Sequence, residues 1–419
     1  MRDEDDDKPK KKKAAPVKRR SALKTVGLSV AGVVGLGVAG VGARAYQVGV
    51  FKNATDGPGF DPWRAWEEQV RETSPGADAK KPLTGKAQGL VAAAVLAASA
   101  HNSQPWRFAA RGNLLDVIAD ERRNLGSIDP QYRELNISVG CAIENIVLGA
   151  SGVGITPLLN IFPDGPLGNV FARFTIFDGV AATSKEAKAL HKRSTNRGAY
   201  IRGKALDFKI LDALSALNTS GFTKLIWLTA DSDAGKRFAA GTVKATADFI
   251  ADKNMVVDSH NWFRFSAGDH RDGLTLPTTG ISPMEARIAL MLPKGFTGDP
   301  HKAWLAMTRD VHVATAPHFG LITIPALNDR AALVEVGRLW QRLQVQTAVM
   351  GLAAQPLNQM MEMVDRDRTF QRASEAEITL NNLATLSGNV VAFAFRIGYS
   401  RALTALSPRR NVEDVLSKA

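Results

Sequence analysis

The sequence predicts an α+β fold made of two similar halves, and the main reason is an internal repeat. Residues 133–155 align with residues 330–352 at a constant offset of 197, and both stretches carry apolar residues at helical spacing. In each copy a Val-Gly pair near the start is followed by another Gly fourteen residues after the first. A β-prone run comes later in each copy, at 170–177 and at 390–396. With 419 residues and 45% hydrophobic content, the chain can bury the core of two such units.

The repeat also predicts how the halves are arranged. Any two amphipathic helices share some apolar positions, so chance explains part of the match, but the fixed Gly-to-Gly distance favours duplication. Gly140 aligns with Gly337, and the two halves should pack against each other as the subunits of a homodimer do. We therefore predict an intrachain pseudo-dimer, with the first half at residues 82–183 and the second at 184–419.

The N-terminus has the pattern of an export signal. A basic stretch containing Arg19-Arg20 precedes residues 25–43, which are uncharged and glycine-rich, and Ala43-Arg44-Ala45 supplies a cleavage pattern. The paired arginines resemble a twin-arginine (Tat) signal, which implies the Tat export machinery as a partner and a periplasmic or cell-envelope location. An uncleaved membrane anchor is the alternative, because about 19 uncharged residues would just span a bilayer. Residues 1–45 are therefore assigned to a signal or membrane anchor.

Two further segments are expected to lie outside the repeated units. Residues 46–81 are rich in Gly, Pro and charge, which predicts a linker, with Trp63 and Trp66 packing one amphipathic turn onto the body. Residues 238–298 have no counterpart in the first half, and they are expected to form a lid insertion.

Composition excludes several classes of function. The formal charge is +12, but much of it lies in residues 1–24, so nucleic-acid binding is not inferred from it. Cys141 is the only cysteine, which rules out an intrachain disulfide and a cysteine metal cluster. The seven histidines show no metal-ligand spacing, and no metal is expected.

Three polar motifs together describe a site for a mononucleotide. Asn102 and Gln104 follow an Ala-rich helical stretch and carry the donors and acceptors that the edge of a flavin ring needs; the alternative is a helix C-cap with a buried Trp. Arg193 and Arg197, at i and i+4 with a hydroxyl between them, are expected on one helix face and fit a phosphate. The turn with Arg409-Arg410 presents two more cations. Alone, the last two motifs are equally well explained as a solvated basic turn and a basic tail.

In this order the motifs resemble those of the nitroreductase superfamily, particularly its Acg-like subgroup, over roughly residues 85–415. The segment 102–106 resembles the N-x-Q-P-W segment that contacts the flavin ring, and 193–197 is similar to the phosphate-binding start, although Lys192 stands where an Arg is usual. Residues 351–359 look like the loop that passes the N5 edge of the ring, and 407–410 resembles the terminal phosphate contact. The resemblance assigns FMN binding to Asn102, Gln104, Arg193, Ser194, Asn196, Arg197, Gly351, Leu352, Pro356, Arg409 and Arg410.

The resemblance implies a nitroreductase-like fold of antiparallel sheets flanked by helices. It also implies an FMN-dependent oxidoreductase that passes electrons from a donor such as NAD(P)H to a quinone, nitro or similar acceptor. No side chain is assigned as an acid or base, and His101 is an open candidate. Each motif occurs once, so one composite FMN site per chain is expected. The alternatives are a protein that binds or sequesters FMN under a closed lid with little turnover, and a structural fused dimer without flavin.

Overall fold

A computed structural model shows the fold. It describes residues 57–72, 85–179, 183–265, 269–291, 299–402 and 404–418, together with Ala45 and Thr55. The paired arginines at 19–20 and the uncharged stretch 25–43 lie outside these residues, so the export signal stays a prediction.

The described residues combine helices with mainly antiparallel sheets, which confirms the α+β class. The helices are α1 (Asp61–Glu72), α2 (Lys86–Ala94), α3 (Arg133–Gly149), α4 (Lys185–Ala189), α5 (Phe208–Ser215), α6 (Asp233–Ala251), α7 (Lys253–His260), α8 (Pro283–Met291), α9 (Pro300–Met307), α10 (Arg330–Met350), α11 (Gln359–Thr369), α12 (Glu375–Ala384) and α13 (Val412–Val415). The strands are β1 (Trp106–Arg111), β2 (Leu114–Ala119), β3 (Ile155–Ile161), β4 (Val170–Asp178), β5 (Lys224–Thr229), β6 (Phe263–Arg264), β7 (Leu274–Thr275), β8 (His318–Ile324), β9 (Ala353–Pro356), β10 (Val390–Gly398) and β11 (Leu416–Lys418).

Two sheets carry most of the strands. The first has the order β11-β1-β2-β4-β3 and the second the order β5-β8-β10-β9. The second sheet is antiparallel throughout, and so is the first apart from β11, which runs parallel to β1. The short pair β6-β7 is also parallel. The expectation of antiparallel sheets is therefore confirmed for most of the pairing.

The two helices of the sequence repeat pack directly against each other. A Cβ atom added to Gly140 would lie 2.2 Å from the carbonyl oxygen of Val334, and one added to Gly337 would lie 2.0 Å from that of Ile137. Glycine is therefore required at both positions, because any side chain would force α3 and α10 apart. This close pair is the contact that the pseudo-dimer prediction requires. The β-prone runs at 170–177 and 390–396 form β4 and β10.

Helix α3 and the turn after it form the one stretch of the described residues that is long and apolar enough to cross a membrane, at Arg133–Val153. Within its apolar window 78% of the residues are buried inside the protein. The burial is that of a core helix packed against α10.

The boundary between the halves at residue 183 stays a prediction. Strands β1 to β4 precede it and lie in the first sheet, and β5, β8, β9 and β10 follow it and lie in the second. Strand β11 also follows the boundary, but it joins the first sheet, where it pairs with β1 with Phe108 opposite Leu416. The sheet of the first half is therefore completed by a strand of the second.

The segments expected to be a linker and a lid are more ordered than the sequence suggests. Within residues 46–81, α1 is a helix of 12 residues rather than one turn, and Trp63 and Trp66 are buried at 3% and 0% exposure. Residues 238–251 of the expected lid belong to α6, where Phe238 packs against Phe319 of β8 at a ring distance of 4.9 Å. That part is core rather than lid, because its apolar face covers the second sheet.

Candidate functional site

The segment with Asn102 and Gln104 forms a tight loop between α2 and β1, as the sequence predicts. The backbone is left-handed at three of its residues, with φ of 48° at His101, 54° at Asn102 and 51° at Gln104. Non-glycine residues seldom adopt this conformation, so surrounding contacts must hold it. Both amide side chains are buried, Asn102 at 4% and Gln104 at 0% exposure.

The C-terminal arginines dock on this loop from more than 300 residues away. Arg409 donates from Nη1 to the Asn102 side-chain oxygen. The backbone N–H of Arg410 donates to the Gln104 side-chain oxygen at 2.9 Å, and its Nη1 donates to the Gln104 carbonyl at 3.3 Å. Asn102 in turn donates to the carbonyl of Pro408 at 2.9 Å. The structure thus brings together the first and third motifs found in the sequence.

Arg193 joins the same cluster from a third segment. It is 3% exposed, and it donates to the Leu96 carbonyl at 3.2 Å and to Gln344 Oε1 at 2.8 Å. The guanidinium carbons of Arg193 and Arg409 lie 5.8 Å and 4.9 Å from the ring centroid of Trp63. Two cations therefore share one buried indole.

No carboxylate among the described residues pairs with either of these arginines. Burial lowers the pKa of Arg193 to about 10, and burial together with repulsion from Arg193 lowers the pKa of Arg409 well below its usual range. Arg133, which is as deeply buried, instead pairs with Asp365 at 2.7 Å and Glu134 at 2.8 Å. A buried charge costs several kcal/mol unless it is paired. The two arginines therefore form a site suited to an anionic ligand.

Two unused donors support this conclusion. Arg409 Nε and Gln344 Nε2 are buried and have no hydrogen-bond partner within the part of the chain that the structure describes. Both belong to residues of the arginine cluster, and both can only donate, so they suit a ligand rich in acceptor atoms. A phosphate has that character.

The prediction that Arg193 and Arg197 share a helix face is wrong. Helix α4 ends at Ala189, a single 3-10 turn follows at 190–192, and Arg193 is extended with φ −64° and ψ 128°. Arg193 points into the core, whereas half-buried Arg197 donates to the Thr278 carbonyl at 2.8 Å. Tertiary contacts override the helical pattern here. The Gly198 carbonyl accepts a hydrogen bond of 2.7 Å from buried Arg396, and this bond holds the backbone after Arg197 in an irregular conformation.

The other two residues of this segment take different positions. Asn196 caps the following turn, since its side-chain oxygen accepts from Gly198 N at 3.0 Å and its amide donates to the Ala402 carbonyl at 3.2 Å. Ser194 is half-buried between Arg193 and Asn196. The segment therefore contributes Arg193 to the cluster, while Asn196 shapes the loop.

The expected loop at 351–359 contains a strand of four residues. Gly351 ends α10 with φ 67°, and Ala353–Pro356 then forms β9 at the edge of the second sheet, with Pro356 opposite Phe395. Pro is tolerated there because an edge strand leaves its outer N–H positions unpaired. Leu352 donates to the Thr347 carbonyl at 2.8 Å, so this stretch is tied to its own helix.

The site also contains residues that the sequence did not single out. Arg271 and Gly273, in the expected lid, accept from the Gln104 amide at 2.8 Å and the Asn102 amide at 3.0 Å. Gln344 is 1% exposed in the middle of the apolar face of α10. The sequence offered one signal for Gln344, which is a polar residue at a position where the helical pattern expects an apolar one.

His101 is not a proton donor at neutral pH. Burial, followed by repulsion from Arg197, lowers its pKa to about 4. Its Nε2 lies 3.1 Å from the Ser259 hydroxyl. The ring is therefore neutral at pH 7, and it links the loop to α7.

A cavity of about 380 Å³ lies beside the Asn102 loop. Its lining includes Trp262 and Asp272, and Asp272 pairs with Arg264 at 2.7 Å and also with Arg123. Arg123 donates from Nε to the Ser103 carbonyl at 2.5 Å, which connects this wall to the Asn102 loop. Unlike Arg193 and Arg409, these arginines have a carboxylate partner.

The fold and the site define an α+β protein with a buried cluster of cations suited to an anionic ligand. No protein-family model matches the chain. A segment of 111 residues, 26% of the chain, is 33% identical to two Mycobacterium tuberculosis proteins, of strains CDC 1551 and H37Rv, that carry the provisional name NAD(P)H nitroreductase. The chain spans only 32% of the length of these relatives.

Solved structures of nitroreductases are also similar to the chain. One is a nitroreductase with bound FMN from Desulfitobacterium hafniense, 14% identical and covering 55% of this chain and 94% of that one, with a TM-score of 0.33. Another is an FMN-dependent nitroreductase of Mycobacterium smegmatis in complex with NADPH, 15% identical and covering 56% and 98%, with a TM-score of 0.35. At TM-scores this low neither likeness carries a conclusion, and the α+β class rests on the chain's own sheets and helices.

Proposed function

We propose that this chain is an FMN-dependent oxidoreductase of the nitroreductase type, which passes electrons from a reduced donor such as NAD(P)H to a quinone, nitro compound or similar acceptor. The observation that supports it most is the pair Arg193 and Arg409, buried without a carboxylate partner among the described residues. Arg409 donates to Asn102 in the loop that also carries Gln104, and Arg193 lies near Arg409 on the same Trp63 ring, as a mononucleotide site requires. The names of the two relatives agree with this proposal.

The two ends of the site fit FMN to different degrees. Arg193 and Arg409 would hold the phosphate by charge-assisted hydrogen bonds, with Gln344 Nε2 as a further donor. The Asn102 and Gln104 amides, however, already bond to the carbonyls of Gly273 and Arg271. They become available to the edge of a ring only when that segment moves away. FMN, when bound, supplies hydride or electron transfer, while the protein supplies position and electrostatics.

This closed arrangement favours a second candidate function, in which the protein holds FMN with little turnover. Both amides of the loop are occupied by protein carbonyls, so the segment that supplies these carbonyls would restrict the access of an electron donor or acceptor to the site. Anaerobic mixing of the purified holoprotein with NADH or NADPH separates the two functions. Loss of the flavin absorbance supports the oxidoreductase, whereas an unchanged flavin spectrum supports sequestration.

A colour measurement tests both candidates at once. Purified protein should be yellow and release FMN on denaturation, and the Arg309→Met variant should match it, because Arg309 is exposed and pairs with its neighbour Asp310 at 2.8 Å. The Arg409→Met variant should retain much less FMN. A colourless wild-type protein that releases no FMN would contradict both functions and support a structural fused dimer.

We also propose that the protein is exported to the periplasm or cell envelope through the Tat route, with a small-molecule electron donor and acceptor as its other partners. Residues 19–20 and 25–43 motivate this proposal. Export in the folded state makes physical sense for a protein that carries FMN, because threading of an unfolded chain would strip the cofactor. Retention of residues 25–43 as a membrane anchor is the alternative.

A further inference from the structure

Helix α1 lies over the arginine cluster, although it comes from the region that the sequence predicts to be a linker. Its Trp63 is 3% exposed, and its ring centroid lies 4.9 Å from the guanidinium carbon of Arg409 and 5.8 Å from that of Arg193. Both distances are within the range of cation–π contacts. One indole therefore touches the two buried arginines that have no carboxylate partner among the described residues.

The helix is anchored to both segments that carry these arginines. Trp63 Nε1 donates to the Ser407 carbonyl at 2.9 Å, and the Gly59 carbonyl accepts from the backbone N–H of Arg409 at 2.6 Å. On the other side, fully buried Trp66 donates to the Ala187 carbonyl at 2.9 Å, in the helix that precedes Arg193. Movement of α1 would therefore disturb Arg193 and Arg409 together.

We infer that Trp63 is a positioning residue that covers the anion site, holds the Arg193 and Arg409 guanidinium groups in place, and slows the exchange of a phosphate monoester bound to them. The face of an indole attracts cations, so it stabilises guanidinium groups that lack a carboxylate. A covered site also excludes water, which strengthens charge-assisted hydrogen bonds. The inference rests on the proposed function only in naming FMN as the phosphate monoester.

The first test needs no bound cofactor and measures how accessible the two arginines are. Full-length protein freed of FMN is treated with phenylglyoxal, and the labelling rate of each arginine is followed by mass spectrometry of peptides. In Trp63→Leu, which keeps apolar bulk but removes the ring, Arg193 and Arg409 should label at least about tenfold faster than in wild type. Arg133 is the internal control and should label at an unchanged rate, because it lies elsewhere and is paired with Asp365.

Two further variants separate the ring from general packing. Trp63→Phe keeps an aromatic face and should label Arg193 and Arg409 at close to the wild-type rate. Val70→Ala removes a buried side chain from the same helix and should also leave both rates unchanged. If Trp63→Leu does not fold, Trp63→Met replaces it. Equal labelling of the two arginines in wild type and the ring-free variant overturns the inference.

The second test measures release of FMN from the loaded protein, as the recovery of free-flavin fluorescence after dilution. Trp63→Leu should release FMN at least about tenfold faster than wild type, and Trp63→Phe within about twofold of it. If wild type binds FMN and Trp63→Leu releases it at the same rate, the inference is wrong while the proposed function stands. If wild type binds no FMN, the proposed function is wrong, and the labelling rates still decide whether Trp63 covers the arginines.

Discussion

Replacing Arg193 with Met should have opposite effects on the stability of the free protein and on its affinity for FMN. Burial lowers the pKa of Arg193 from 12.5 to about 10, because the charge loses its hydration and gains no carboxylate. At about 1.4 kcal/mol per pH unit, this shift corresponds to roughly 3 kcal/mol of unfavourable free energy in the folded state. Since pH 7 lies below both pKa values, the full penalty is present at neutral pH.

Two hydrogen bonds offset part of that penalty. Arg193 donates to the Leu96 carbonyl at 3.2 Å and to Gln344 at 2.8 Å, and each bond contributes about 1 kcal/mol. The contact with the Trp63 ring, at the long end of the cation–π range, offsets about another 0.5 kcal/mol. The FMN-free Arg193→Met protein should therefore be more stable than wild type by up to about 1 kcal/mol. Its affinity for FMN should fall by about 1.5–3 kcal/mol, which is roughly tenfold to a hundredfold, because the phosphate loses a charge-assisted contact.

Urea unfolding of the FMN-free protein and fluorescence titration with FMN measure the two effects. Arg133→Met is the matched control, because Arg133 is equally buried but pairs with Asp365 and Glu134. Removing it leaves buried carboxylates uncompensated and should destabilise the protein by about 3–5 kcal/mol. If Arg193→Met lowers the free energy of unfolding as much as Arg133→Met does, and FMN binds with unchanged affinity, the idea of an uncompensated cation site is refuted.

Four other outcomes follow from the structure and the sequence. Gly140→Ala should lower the melting temperature by several degrees, because its Cβ would lie 2.2 Å from the Val334 oxygen, whereas Gly221→Ala, with open space around it, should change little. The stability of wild type relative to Asp129→Asn in urea unfolding should fall between pH 5 and pH 8, because burial raises the pKa of the Asp129 carboxyl to about 8 and the unfolded chain loses that proton near pH 4; a stability difference that is flat or rising over this range would contradict the assignment. Released FMN and the molar mass in solution should give one flavin per 45.0 kDa monomer, and two flavins per chain, or a site filled only on dimerisation, would show that the motifs were divided wrongly between the halves. Replacing Arg19 and Arg20 with Lys should leave precursor in the cytoplasm, and normal translocation would contradict the Tat assignment.

The elements with a clear periodic pattern could be predicted from the sequence. The repeat placed α3 and α10 correctly and identified the glycines at their contact, because that geometry depends on residue type at two positions. The strands at 170–178 and 390–398 were recognisable from β-prone residues alone. The local sequence pattern was sufficient to predict an element wherever its intrinsic preference agreed with its tertiary contacts.

The errors occurred where tertiary contacts decide the conformation. The Arg193–Arg197 segment has helical spacing, but the inward path of Arg193 and the bonds from Arg396 to its carbonyls keep it irregular. The stretch 351–359 was expected to be a loop from its resemblance to the nitroreductase N5 loop, yet Ala353–Pro356 pairs with β10 as an edge strand. The cover provided by Trp63 could not be predicted, because cation–π contacts between residues more than 100 positions apart leave no spacing pattern.

Strand β11 also constrains the order in which the molecule can fold. Phe108 and Leu416 are about 300 residues apart, so their pairing forms late, after the loops between them have been closed. Until β11 docks, β1 has an open edge, which is a template for aggregation between partly folded chains. Arg409 and Arg410 lie just before β11, so the same event that protects this edge completes the arginine cluster. A ligand that binds only the completed cluster would, by mass action, favour the state in which β11 is docked.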